Sequence, residues 1–185
     1  MKRCLTVCVL ILFLCGCSSG EDHLDKGLAL RSKLLQSGCS FEAFITADYG
    51  EKIHTFTMQC TADANGNLSF TVTQPESISG ITGTLDHRKG ALTFDGNVLA
   101  FPMLADGELS PVSCPWIFIH TLRSGYMRSA GMDGGFIRLT IDDSYEEDAL
   151  QLDIWLNEQQ LPKHVQILWQ GRSILSMDVR NFTFV

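Results

Sequence analysis

The 185-residue chain has no apolar run long enough to cross a bilayer. Its longest, "CLTVCVLILFLC" (Cys4–Cys15), stays uncharged for 12 residues, whereas a spanning helix needs about 20. Basic tracts are also missing. With 14 Lys and Arg against 21 Asp and Glu, the net charge is −7. That balance argues against nucleic acid as a partner, and against adsorption to an anionic membrane by overall charge. The catalytic signatures with a clear physical basis are absent too. There is no GxSxG elbow for a serine nucleophile, no HExxH helix for zinc, and no Gly-rich loop to cradle phosphates. The five histidines (His23, His54, His87, His120, His164) share no ligand spacing. "DDSYEED" (Asp142–Asp148) gathers acid, but it lacks the glycine and alternating oxygen ligands of a calcium loop and reads as a solvated turn. These absences point to a non-enzyme without metal or cofactor. No internal repeat or low-complexity tract interrupts the chain.

What is present begins at the front. Lys2 and Arg3 precede the short apolar run, which ends in "LCGC" (Leu14–Cys17) and turns polar at once. A charged start, a short apolar stretch and a small residue before a cysteine are the parts of an export signal. The tetrapeptide resembles a bacterial lipobox, in which the last cysteine is joined to diacylglycerol and becomes the mature N-terminus. On that resemblance Cys17 is the lipidation site and Cys4, Cys8 and Cys15 leave with the signal. A diacylated cysteine would hold the chain at a membrane without any spanning helix. "SSGEDHLDKG" (Ser18–Gly27) then reads as a polar tether.

The remaining residues suffice for one sizeable core. "EDHLDKGLALRSKLLQSG" (Glu21–Gly38) repeats leucine near helical spacing and ends on glycine, so a helix is expected. The period then switches to 2. "CSFEAFITADYGEKIHTFTMQC" (Cys39–Cys60) reads as a hairpin about Tyr49-Gly50. In that register Phe41 faces Met58, Ala43 faces Phe56, and Cys39 faces Cys60, which makes Cys39 and Cys60 the candidate disulfide. Asn65-Gly66 signals a turn into a third strand, Pro75 breaks the ladder, and a strand near Ile81–Leu85 follows. "ALTFDGNVLAF" (Ala91–Phe101) is expected as another hairpin, with Phe94 opposite Leu99 and Leu92 opposite Phe101.

"SPVSCPWIFIHTLRSG" (Ser110–Gly125) has a serine cap, a proline in its first turn and a terminal glycine. It is apolar nearly all round, so it is a helix that must be covered. Cys114 sits in it as an unpaired small hydrophobe. Beyond it, "FIRLTID", "ALQLDIWLNE" and the two halves of "KHVQILWQGRSILSMDVRNFTFV" read as strands. The last pair is apolar on both faces, as expected of a sheet covered on both sides. Consecutive hairpins with two segregated helices make the fold class α+β.

The element order resembles the lipoprotein-carrier superfamily, LolA-like, with LolB and RseB as relatives. The patterns that carry the resemblance are "FEAFITADYG", "TVTQPESISGITG", "LTFDG" and the closing block from "LDIWLNEQQLP" to "MDVRNF". It implies a curved antiparallel half-barrel of about 10–11 strands, with an N-terminal helix and the apolar helix on the concave side. It also implies residues 1–16 as lipoprotein signal peptide, 17–27 as lipidated N-terminus and tether, and 28–185 as the LolA-like domain. Similar domains occur among lipoproteins of spore-forming Gram-positive bacteria, one group of them linked to germination. Two departures stand out. True carriers are unanchored, and they tend to carry an arginine after a proline where "QPESISGIT" has none.

Two functions follow. In the first, Trp116, Ile119 and Leu122 face Phe41, Phe56, Met58, Leu152 and Ile154 around a cavity for a lipid or acyl chain, free or carried by a lipoprotein ligand. In the second, the same residues are a packed core and the chain is an envelope or sporulation-related scaffold or regulator for another protein. Either places it on the outer face of the cell membrane, or at the outer membrane of a diderm host.

Overall fold

The computed structural model describes residues 19–85, 93–94 and 109–185. Helix α1 spans Ser19–Gln36 and is followed by β1 (Cys39–Asp48), β2 (Ile53–Ala62), β3 (Leu68–Gln74), β4 (Thr82–Leu85) and β5 (Thr93–Phe94). A 3-10 turn at Pro111–Ser113 leads into α2 (Cys114–Ser124). Then come β6 (Tyr126–Asp133), β7 (Phe136–Asp142), β8 (Gln151–Leu156), β9 (Pro162–Trp169) and β10 (Arg172–Phe184). All ten strands form one antiparallel sheet, in the order β5-β4-β3-β2-β1-β10-β9-β8-β7-β6. Two meanders, β1–β5 and β6–β10, are thus joined by pairing the first strand of one to the last strand of the other. The described sheet is open, with β5 and β6 at its edges.

One face of this sheet is the core. Phe41, Ala43 and Ile45 of β1, Phe56 and Met58 of β2, Leu139 and Ile141 of β7, and Leu152 and Ile154 of β8 belong to a single buried cluster with α2. Ten strands at about 4.8 Å spacing would be about 43 Å wide if flat, and an 11-residue helix is only about 16 Å long. Yet α2 packs against both β7 and β10, and its Phe118 meets Phe41 of β1 edge-on at 5.8 Å. The sheet curls around the helix, which puts α2 on the concave side. Helix α1 lies beside it over β6 and β7. Gly27 makes that approach possible: a Cβ there would come within 2.9 Å of Leu139. The helix therefore begins inside the stretch expected as a tether, and by Gly27 the chain is already buried.

Three other expectations change, and a fourth falls mostly outside the described residues. The β1–β2 loop runs Tyr49–Lys52, with Asp48 opposite Ile53, rather than turning at Tyr49-Gly50. The Asp48 carboxylate accepts a bond from the Gly50 amide at 2.7 Å, and the Tyr49 amide donates to the Lys52 carbonyl at 2.9 Å. The register slips by two. Phe41 faces Cys60 and Cys39 faces Ala62. A slip of two leaves every side chain on its own face, so the apolar pattern cannot detect it. Second, β6 is a strand that the pattern does not announce. It is an edge strand with no fully buried position, so it shows no alternation. Its hairpin turns at Gly134-Gly135, with φ of 56° and 84°.

Third, the doubly apolar reading of β9–β10 does not reflect a second layer. The register shifts between Ser173 and Leu175, and Ile174 and Leu175 are both buried in succession. A second shift lies between Ser40 and Glu42. Bulges, not a further covering layer, scramble the alternation. Fourth, in the expected hairpin of Ala91–Phe101 only Thr93 and Phe94 are described, paired to Thr84 and Gly83 of β4. The Phe94–Leu99 and Leu92–Phe101 pairs lie outside the described residues.

Candidate functional site

The interior beneath α2 brings the expected cavity residues together. Phe41 and Phe56 are 2% exposed, and Met58, Ile119, Leu122, Leu152 and Ile154 are 0% exposed, all in the core cluster. Trp116 differs: it is partly exposed and packs against the cluster from outside. Its ring stacks on His120 at 4.9 Å with 7° between planes. The interior is thus closed by Phe118, Ile119 and Leu122, while Trp116 and His120 form the outer flank of the same helix.

Two arginines that the sequence did not flag tie the helices down. Arg31 of α1 donates to the Leu122 carbonyl at 2.7 Å and to the Gly125 carbonyl at 2.8 Å. These are orphan acceptors at the C-terminal end of α2. Burial lowers the Arg31 pKa from its ordinary value. Arg123, in the last turn of α2, donates in return to the Leu34 carbonyl in the last turn of α1. It also reaches the Ala64 carbonyl between β2 and β3 at 2.8 Å. Each helix therefore caps the other's C-terminal end, where a cation also suits the helix dipole. A long-range contact of this kind leaves no local pattern in the sequence. Thr121 carries no sequence signal either. It is 1% exposed, and its hydroxyl has no hydrogen-bond partner.

Cys39, Cys60 and Cys114 are buried free thiols. Cys39 and Cys60 are not cross-strand partners, so the expected disulfide pairing is corrected along with the register. The three are nonetheless grouped. Cys60 faces Phe41, Phe41 meets Phe118, and Cys114 lies one helical turn before Phe118. Burial pushes the Cys39 thiol up to about 12. It pushes the Cys60 thiol well above its usual range, with Cys114 and Cys39 adding to the effect, and raises Cys114 as well. Protonated thiols of this kind behave as small hydrophobes rather than nucleophiles.

Among the described residues no group of His, Cys, Asp or Glu is arranged to hold a metal ion. No described helix is long and apolar enough to cross a membrane. Cys17 lies outside the described residues.

No protein-family model matches the chain, and no curated protein matches it by sequence. Solved structures similar to it include a LolA superfamily protein from Nitrosomonas europaea, 8% identical, covering 91% of this chain and 94% of that one, with a TM-score of 0.39. An uncharacterized conserved protein from Thermus thermophilus is 10% identical over 88% of this chain and 87% of that one, with a TM-score of 0.44. In the Pseudomonas aeruginosa MucA/MucB complex the matched chain is 11% identical, covering 88% of this chain and 57% of that one, with a TM-score of 0.40.

Proposed function

We propose that this chain is a lipid-anchored extracytoplasmic binding module that takes an acyl chain or other apolar ligand between α2 and the concave sheet face. The observation that carries the reading is how α2 is held. Toward the sheet it contributes Phe118, Ile119 and Leu122, all 0% exposed. Its C-terminal end is fixed by Arg31 and Arg123 on backbone carbonyls. Such a helix can lift from the sheet without breaking a strand pairing. Thr121 Oγ1, a buried hydroxyl with no hydrogen-bond partner among the described residues, would meet the polar end of an entering ligand. Cys17, joined to diacylglycerol, would keep the module at the outer face of the membrane. Its chemistry is binding, not catalysis.

The test is direct. Purified from membranes in mild detergent, the protein should release a defined lipid on organic extraction, identified by mass spectrometry. In a background where Trp155 and Trp169 are Phe, Trp116 fluorescence should shift on adding a fatty acid or phospholipid. Leu122→Glu should abolish the shift with far-UV dichroism unchanged. Intact mass should show a chain beginning at Cys17 with added acyl mass, and a Cys17→Ala chain anchored like wild type refutes the anchor.

One observation favours the second reading: the candidate interior is already filled by its own side chains. If extraction yields no lipid and Trp116 does not respond, the closed core stands. The chain is then an anchored scaffold or regulator that engages an envelope protein.

A further inference from the structure

A second concave site lies away from α2. It is a groove of about 250 Å³ between the start of α1, the β6–β7 hairpin and the β8–β9 turn. Met132, Phe136, Ile137 and Leu156 give it an apolar wall; His23, Lys26, Asn157, Glu158 and Gln160 give it a polar one. It continues along α1 into a smaller recess that also carries Lys26 and Gln160 and adds Lys33. Lys26 and Lys33 are seven residues apart, so they fall on one side of the helix.

The polar wall is rigid. The Asn157 carboxamide accepts bonds from the Gln159 and Leu161 amides, both at 3.0 Å, and the Gln160 amide donates to the Asn157 carbonyl at 2.9 Å. Lys163 lies over the Phe136 ring at 3.9 Å, adding a cation at the rim. Against these stand two carboxylates. Glu158 lines the groove, and Asp22 is bound to Lys26 at 2.6 Å. Three lysines to two carboxylates reverses the balance of a chain whose net charge is −7. His23 adds a second observation. Its side chain is only 15% exposed, and its Nδ1, 4.0 Å from the Asp22 carboxylate, is buried without a hydrogen-bond partner. A buried polar atom left unpaired is costly, and an entering polar group would relieve that cost.

We infer that this groove is a headgroup site for an anionic glycerophospholipid of the leaflet that holds the anchor, with phosphate against His23, Lys26 and Lys33 and the glycerol end of the acyl chains along Met132 and Phe136. The inference rests on the anchored reading in one respect, the choice of a membrane lipid as occupant. Helix α1 begins at Ser19, two residues after Cys17, and two residues reach about 7 Å at most. An acylated Cys17 would hold this end of the domain at the headgroup layer. The chain's overall charge would repel an anionic surface, so contact there calls for a local cationic site of this kind.

The experiment uses the full anchored protein in phosphatidylcholine vesicles containing phosphatidylglycerol with a photoreactive headgroup. Crosslinks should map to residues 22–33 and 157–163. Lys26→Glu with Lys33→Glu should lower their yield at least fivefold. Lys26→Gln with Lys33→Gln, which adds no negative charge beside Asp22, should lower it at least threefold with dichroism unchanged. Crosslinks elsewhere in the chain, or equal yields in the glutamine pair, overturn the site. Loss of crosslinks on adding millimolar inorganic phosphate overturns the headgroup assignment in favour of a free anion. Intact mass separates the two readings: a chain without acyl mass that still crosslinks at the groove refutes the anchor and supports the site.

Discussion

Arg31 shows how much of this structure depends on single side chains with no local signature. Its guanidinium satisfies two carbonyls at the end of α2 from another helix. A charge-assisted bond of this type contributes about 1.5–3 kcal/mol. Arg31→Met should therefore destabilise the protein by about 2 kcal/mol, seen as a lower urea midpoint with unchanged slope. Lysine should not rescue it, because an ammonium cannot present a planar fork to two acceptors; full recovery in Arg31→Lys would count against the capping role. The thiols give a second test. Cys39 keeps its proton to about pH 12 when folded, whereas an unfolded cysteine loses it near pH 8.5. Between these values the unfolded state binds fewer protons than the native state, so stability falls as pH rises. The loss should approach about 1.4 kcal/mol per pH unit per thiol. Urea titrations from pH 8 to 11 should show the decline, and Cys39→Ala should remove one thiol's share of it, leaving those of Cys60 and Cys114. Wild type without any decline would mean that the thiols are not buried as described.

Elements were legible where a face is buried and opaque where geometry is set by something else. β1 alternates buried and half-buried positions along its whole length, so its inner face could be read from the sequence, as could the apolar α2. Register could not, because period-2 alternation is blind to a slip of two and the Asp48–Gly50 bond decides it. β6 was invisible because an edge strand exposes both sides. The strand ends near Asn181 and Ile174 misled because bulges break the period. Gly125, expected only as a helix terminator, has a sharper role. It is not left-handed, with φ −67°, but a Cβ there would sit 2.6 Å from the Asp142 carbonyl and 2.7 Å from that of Thr121. Both obstacles are backbone and cannot rotate away. Gly125→Ala should cost about 2–4 kcal/mol, at the high end for single substitutions, and lower the melting temperature by several degrees. A neutral outcome would show that α2 and β6 can separate at that joint.

For the molecule as a whole, the question is whether α2 and the sheet open as one unit or two. The two meanders are joined in the middle of the sheet, since β1 pairs along most of its length with β10. That pairing ties the first strand to the last and makes the sheet a single cooperative body. Helix α2 packs on it without strand pairing, and its arginine ties run to α1 and to the β2–β3 turn. Local openings have free energies below that of global unfolding when few sheet bonds are lost. Amides of 117–124 should therefore exchange with deuterium well before those of β1 and β10, at rates that respond little to low denaturant. Arg31→Met should speed this exchange at least tenfold, since 1.4 kcal/mol is a factor of ten, while leaving β1 and β10 nearly unchanged. A bound apolar ligand should slow it. If α2 instead exchanges only with global unfolding, the helix is a fixed part of the core. There is then no route for a ligand beneath it, and the scaffold reading replaces the lipid-binding one.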